Sequence, residues 1–144
     1  RPPLVHGPGA KANMALLMKL ANTPLPLPFA RIGNRRSLIS RASLVAALEA
    51  AVVAPEIASG LYHVADRPAL STGKIVAALR TGLGRRSRLF RAPRAALALA
   101  PRVLTQSLEI DDTKFRDAFG YGAETNRDAR DLLARTARAW KLGQ

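Results

Sequence analysis

Apolar and polar positions along this 144-residue chain fall into blocks of two different periods, which predicts strands mixed with helices. Pro3 to His6 reads as a short strand, broken by the turn Gly7-Pro8-Gly9. From Lys11 to Ala21, the residues Met14, Leu17, Met18 and Ala21 recur at helical spacing and form one apolar face. Thr23-Pro24-Leu25-Pro26-Leu27-Pro28 reads as a stiff extended loop, because each proline fixes φ and removes a donor. Arg36 to Ser40 reads as a strand, after which Ser43 caps an alanine-rich helix over Leu44 to Val53, ended by Pro55. Gly60 to Ala65 is the clearest strand pattern. Ser71 or Thr72 then caps a helix carrying Ile75, Val76, Leu79 and Leu83, stopped by Gly82 and Gly84.

The rest of the chain continues the mixture. Arg88 to Arg91 reads as a strand, Pro93 to Leu99 as an apolar helix, and Ser107 to Ile110 as a short strand. Asp111 or Asp112 caps a helix holding Phe115 and Phe119, which ends at Gly120. A last helix, Arg127 to Leu142, puts Leu132, Leu133, Thr136 and Trp140 on one stripe. No segment repeats at a fixed period. The class is therefore α/β or α+β, with a small sheet covered by helices, and the length suits one domain with a real core.

Charge changes the picture more than composition does. Lys and Arg number 23 against 10 acids, a net charge of +13. No acid precedes Glu49, and none lies between Asp66 and Glu109. That second interval carries Arg67, Lys74, Arg80, Arg85, Arg86, Arg88, Arg91, Arg94 and Arg102. Such a surface attracts polyanions, so a nucleic-acid-binding module built on Arg80 to Arg102 is one reading. Aromatic residues make up only 5%, which argues against it, since single-strand binders stack bases on rings. A bare interaction domain without a ligand is another reading. The chain has no cysteine, which removes disulfides and thiolate chemistry. Its two histidines, His6 and His63, lie far apart, which argues against a histidine metal site. No apolar run approaches the ~18 residues of a membrane span, and the first residues lack the apolar stretch of a signal peptide.

Two nucleotide-binding patterns are present only in part. Gly7-x-Gly9-x-x-Ala12 after a strand fits the loose dinucleotide pattern. However, the first acid is Glu49, far beyond the ~20 residues at which a ribose partner is wanted, and Pro8 deletes one N–H of the cradle. Lys74 follows Gly73, but Pro68 stands where a P-loop needs glycine.

Several segments, taken in order, resemble the carboxy-terminal part of the extended short-chain dehydrogenases/reductases, the NAD-dependent nucleotide-sugar epimerases and dehydratases. Arg1 to Gly9 is similar to that family's R-P-x-x-V-Y-G-P-G. Leu25-Pro26-Leu27-Pro28 and Asn34-Arg35-Arg36-Ser37-Leu38-Ile39 resemble L-P-L-P…N-R-R-S-L-V. Leu61 to Asp66 with Leu70-Ser71-Thr72 resembles F-x-V-S-D…L-S-T. Ser107-Leu108-Glu109-Ile110-Asp111, with Lys114 and Gly120-Tyr121, resembles S-L-x-V-D-x-S-K…L-G-W/Y. The likeness runs from residue 1 to about residue 122, and the members it most resembles make sugars for surface polysaccharide.

The resemblance implies that the whole chain is one substrate-binding region. Its parts are a strand and helix over 1–22, a Pro-rich loop and strand over 23–40, and mixed α/β structure over 41–144. The family's amino-terminal Rossmann part is missing from it. By the same resemblance, Asn13 at a helix start binds the diphosphate of a UDP- or dTDP-sugar, with Met14 as the apolar residue beside it. Arg36 pairs with the same diphosphate, and a guanidinium fork suits phosphate oxygens. His6 lines the sugar side where the family usually has Tyr, while Arg102 and Ser107 serve the ribose and phosphate end.

No catalytic, cofactor-binding or metal residue is implied. The family's Tyr-x-x-x-Lys is absent, since Asp66 follows Tyr62 by four residues and Thr125 so follows Tyr121. NAD would belong to the parent protein, which would oxidise a sugar carbon by hydride transfer and then return the hydride, either directly or after loss of water. His6, Arg41, Ser43 and Gln106 depart from the family pattern. The resemblance also implies a cytoplasmic location, and self-association through surface that once faced the missing domain.

Overall fold

The computed structural model describes residues 2–9, 12–55, 59–93, 102–122 and 128–143, and for residues 12, 102 and 103 the backbone only. Strand β1 (Leu4–His6) leads through helix α1 (Ala12–Ala21) to β2 (Arg36–Ser40) and α2 (Arg41–Val53). There follow β3 (Asp66–Leu70), α3 (Thr72–Gly82), a single turn α4 (Arg102–Thr105), α5 (Thr113–Phe119) and α6 (Ala129–Leu142). The strands form one sheet in the order β1-β2-β3. β1 pairs parallel to β2, Leu4 opposite Leu38 and His6 opposite Ser40, whereas β2 and β3 are antiparallel.

Alternation along β2 sends adjacent residues to opposite faces of the sheet. Leu38 joins the larger core with Met14, Met18, Leu70, Val76, Leu79 and Leu133, under α1, α3 and α6. Ile39 joins a smaller cluster with Ala47, Val64 and Phe115, under α2 and α5. α3 is the hub of the larger core. Its Gly82 lies so close to α6 that a Cβ there would stand 2.2 Å from the Ala134 carbonyl oxygen. Hence the glycine is fixed by close approach as well as by its place at the helix end.

Buried polar groups pin the elements together. Asp112, almost fully buried, accepts from Arg67 at 2.6 Å and from Arg116 at 2.5 Å. Arg80 is 1% exposed, has no carboxylate partner among the described residues, and donates to the carbonyls of Thr23, Leu25 and Arg88. Burial lowers its pKa, and the nearby Arg85 and Arg88 charges lower it further.

Most of the expected elements are present, and four readings need correction. The strand lies at Asp66–Leu70, not at Gly60 to Ala65. The downstream stretch has the partner: Leu38 sits opposite Asp66 and Arg36 opposite Leu70, and Pro68 is tolerated because β3 is an edge. Helix α2 starts three residues early, because the Ser40 hydroxyl accepts from the Ser43 N–H. Arg88 to Arg91 and Ser107 to Ile110 contribute single bridges, Leu89 to Leu27 and Leu108 to Arg36, rather than strands. The expected helix over Pro93 to Leu99 lies almost wholly outside the described residues.

Candidate functional site

Asn13 is the second residue of α1, a ten-residue helix whose first turn holds no acid. The N–H groups of that turn lack intrahelical acceptors and carry the positive end of the helix dipole. Arg36 is the first residue of β2, the central strand. Both residues line one cavity of about 60 Å³, together with Leu4, Leu16, Leu17, Leu38, Thr72 and Leu104 among others. Its floor is aliphatic, with Asn13, Arg36 and Thr72 as the polar lining. The volume holds part of a ligand at most, so a nucleotide-sized molecule would lie across the mouth.

Two features hold this wall in place. Arg36 Nη1 donates to the Gln106 carbonyl at 3.3 Å, which ties the strand to the segment after α4. Partial burial lowers the pKa of Arg36, yet arginine starts high enough to remain charged at neutral pH. Beneath it lies Asn34, which composition did not single out. Its amide donates to Thr72 Oγ1 at 3.0 Å and to the Gln106 carbonyl at 3.0 Å, and its oxygen accepts from the Thr72 N–H at 2.9 Å. Thr72 Oγ1 in turn donates to the Leu104 carbonyl at 2.7 Å. The signal for Asn34 was its place at the head of the Asn-Arg-Arg run, directly before a strand.

The remaining expected residues do not gather at this cavity. Met14 is 0% exposed and packs in the core, so its side chain offers nothing to a ligand. The helical period that puts Asn13 outward turns Met14 inward. His6 is also elsewhere. It is 1% exposed, its Nδ1 lies 3.0 Å from Thr136 Oγ1, and its Nε2 lies 3.7 Å from Asp66 Oδ2. It borders a second, wider groove of about 610 Å³ with Arg41, Val45, Thr136 and Arg135. Leu4 and His6 share a face of β1, but His6 stands at the other end, under α6. Ser107 Oγ accepts from the Arg35 N–H at 3.1 Å, a backbone-bracing role. The Arg102 side chain lies outside the described residues. Among the described residues no cluster of His, Cys, Asp and Glu is arranged to hold a metal.

The glycine turn after β1 does not fit a dinucleotide. A Cβ on Gly7 would stand 3.1 Å from Arg41 Cβ, and the Arg41 guanidinium reaches the Pro8 carbonyl. The first residue of α2 thus packs directly against the turn.

A parallel β1-α1-β2 unit, an antiparallel third strand and a helix-start cleft define the class. The chain is a partial, carboxy-terminal-like region of the extended short-chain dehydrogenase/reductase family, in which nucleotide-sugar epimerases are found. It is 31% identical over 131 residues to a UDP-glucose 4-epimerase of Vibrio cholerae, a match covering 84% of this chain and 40% of that protein. The chain thus spans well under half the length of the curated relative it matches. The fold is similar to UDP-N-acetylglucosamine 4-epimerase from Bacillus cereus, with a TM-score of 0.67 and 13% identity over 99% of this chain and 44% of the other. It is also similar to UDP-glucuronic acid 4-epimerase from Bacillus cereus in complex with NAD, with a TM-score of 0.61 and 16% identity over 100% of this chain and 44% of the other. No protein-family model matches the chain. No helix among the described residues is long and apolar enough to cross a membrane.

Proposed function

We propose that this chain is the nucleotide-sugar-binding region of an NAD-dependent sugar epimerase or dehydratase, and that it carries no catalysis of its own. The observation that carries the reading is that Asn13 and Arg36, twenty-three positions apart, line the same cleft. A diphosphate across its mouth would take donors from the α1 start and the Asn13 amide, and a bidentate pair from Arg36. The aliphatic floor would receive the less polar part of a UDP- or dTDP-sugar. Under this reading the whole chain works as one unit, and a Rossmann part of the parent protein supplies NAD and the Tyr-x-x-x-Lys chemistry. That part would also cover the exposed side of α2, and in its absence copies of this chain would associate there.

Titration calorimetry with UDP tests the reading. Measurable heat is expected, with affinity falling ~10-fold or more in Arg36→Ala, the scale of one lost charge-assisted contact. No heat with UDP or dTDP, or equal binding by the variant, would remove the idea.

A further inference from the structure

One face of the molecule is built from segments that contain no acid at all, and none of its exposed arginines lines the Asn13–Arg36 cleft. The Pro-rich loop and the stretch after α3 run side by side: the Leu27 N–H donates to the Arg88 carbonyl, the Phe90 N–H to the Leu27 carbonyl, and the Ala30 N–H to the Phe90 carbonyl. Leu27 and Leu89 meet in a bridge, Leu27 buried and Leu89 packed against the core. Arg31, Arg85, Arg86, Arg88 and Arg91 are all exposed on these stretches. Among the described residues none of the five takes part in an ion pair. Arg80 adds a buried positive charge directly beneath, tying Leu25 and Arg88 together through their carbonyls. Among the arginines stand two apolar tips, Leu25 at 64% exposure and Phe90 at 46%.

We infer that this face docks on an anionic lipid bilayer, with the arginines against phosphate headgroups and Leu25 and Phe90 at the acyl boundary. Each arginine near such a surface adds to the attraction, and the effect fades over a Debye length. Stiffening by Pro24, Pro26 and Pro28 lowers the ordering cost of presenting Leu25. A nucleic acid explains the face less well. It has no use for an exposed leucine, a single ring makes a poor stacking platform, and neither stretch is a helix that could enter a major groove.

Co-sedimentation of the 144-residue chain with vesicles tests this. Partition onto phosphatidylglycerol/phosphatidylcholine vesicles should exceed that onto pure phosphatidylcholine by ~10-fold or more, and ~0.5 M salt should abolish most of it. The triple variant Arg86→Glu, Arg88→Glu, Arg91→Glu should lose that preference. Arg41→Glu, Arg130→Glu, Arg135→Glu, with the same charge change elsewhere, should keep most of it. Phe90→Ser should weaken vesicle binding several-fold while leaving any binding to duplex DNA unchanged. Equal partition onto both vesicles, equal loss in the two triple variants, or tighter binding to duplex DNA than to vesicles would each overturn the inference. Circular dichroism of every variant separates these outcomes from misfolding.

Discussion

Helices α2 and α3 begin with the same device and end in opposite circumstances. Each is capped by a serine whose hydroxyl accepts from the N–H three residues on, Ser40 from Ser43 and Ser71 from Lys74. α3 is enclosed: Thr72, Ile75, Val76, Ala78, Leu79 and even Arg80 are buried, and α1 and α6 pack upon it. α2 is the more apolar in sequence, yet only Ser43 and Ala47 are buried, while Val45, Leu48, Val52 and Val53 face outward. A helix that is hydrophobic all round normally sits inside a protein. Apolar content therefore says how much burial a helix calls for, and packing says how much it has received.

The contrast can be broken most forcefully at the α3–α6 contact. Gly82→Val should cost about 3 kcal/mol or more, because its side chain would drive into the Ala134 backbone. Urea denaturation reads this directly, and an unchanged midpoint would mean that the two helices are not in close contact. The shared caps come next. Ser71→Ala and Ser40→Ala should each lose about 1 kcal/mol, Ser40 the larger share because its hydroxyl also donates to Ser43 Oγ at 2.8 Å. The smallest change in stability belongs to α2. The double variant Val52→Ser, Val53→Ser should shift stability by less than about 0.5 kcal/mol. It should nonetheless reduce the self-association of the wild-type chain seen by light scattering over a concentration series. A wild-type chain that stays monomeric throughout would show that α2 tolerates water as it is.

Local signals were legible at some boundaries that one residue fixes, though Ser43 was read as the cap that Ser40 provides. Gly120, at φ 58°, ends α5 as its left-handed cap, and Ser71 starts α3. The β1-turn-α1 unit followed from a strand pattern meeting a helical one. What remained hidden depended on partners far along the chain. Gly60 to Ala65 reads as a strand but pairs with none among the described residues, whereas Asp66–Leu70, which includes a proline, is held by β2. The site was legible to the same degree. Asn13 and Arg36 share a cavity, as the family motifs implied, but the turn that exposes Asn13 sends Met14 inward, and His6 disappears beneath α6 beside Thr136. Side-chain direction at a helix start, and which end of a strand a third element covers, are tertiary facts.

Asn34 has one more consequence. A single amide fastens residues 72 and 106, far apart along the backbone, and through Thr72 it reaches residue 104 as well. Swinging the Leu104 wall outward would strand at least three of these polar groups away from water at once. The recess beside Arg36 is thus a mould cast before any guest arrives, and a guest gains its contacts without first having to arrange the walls.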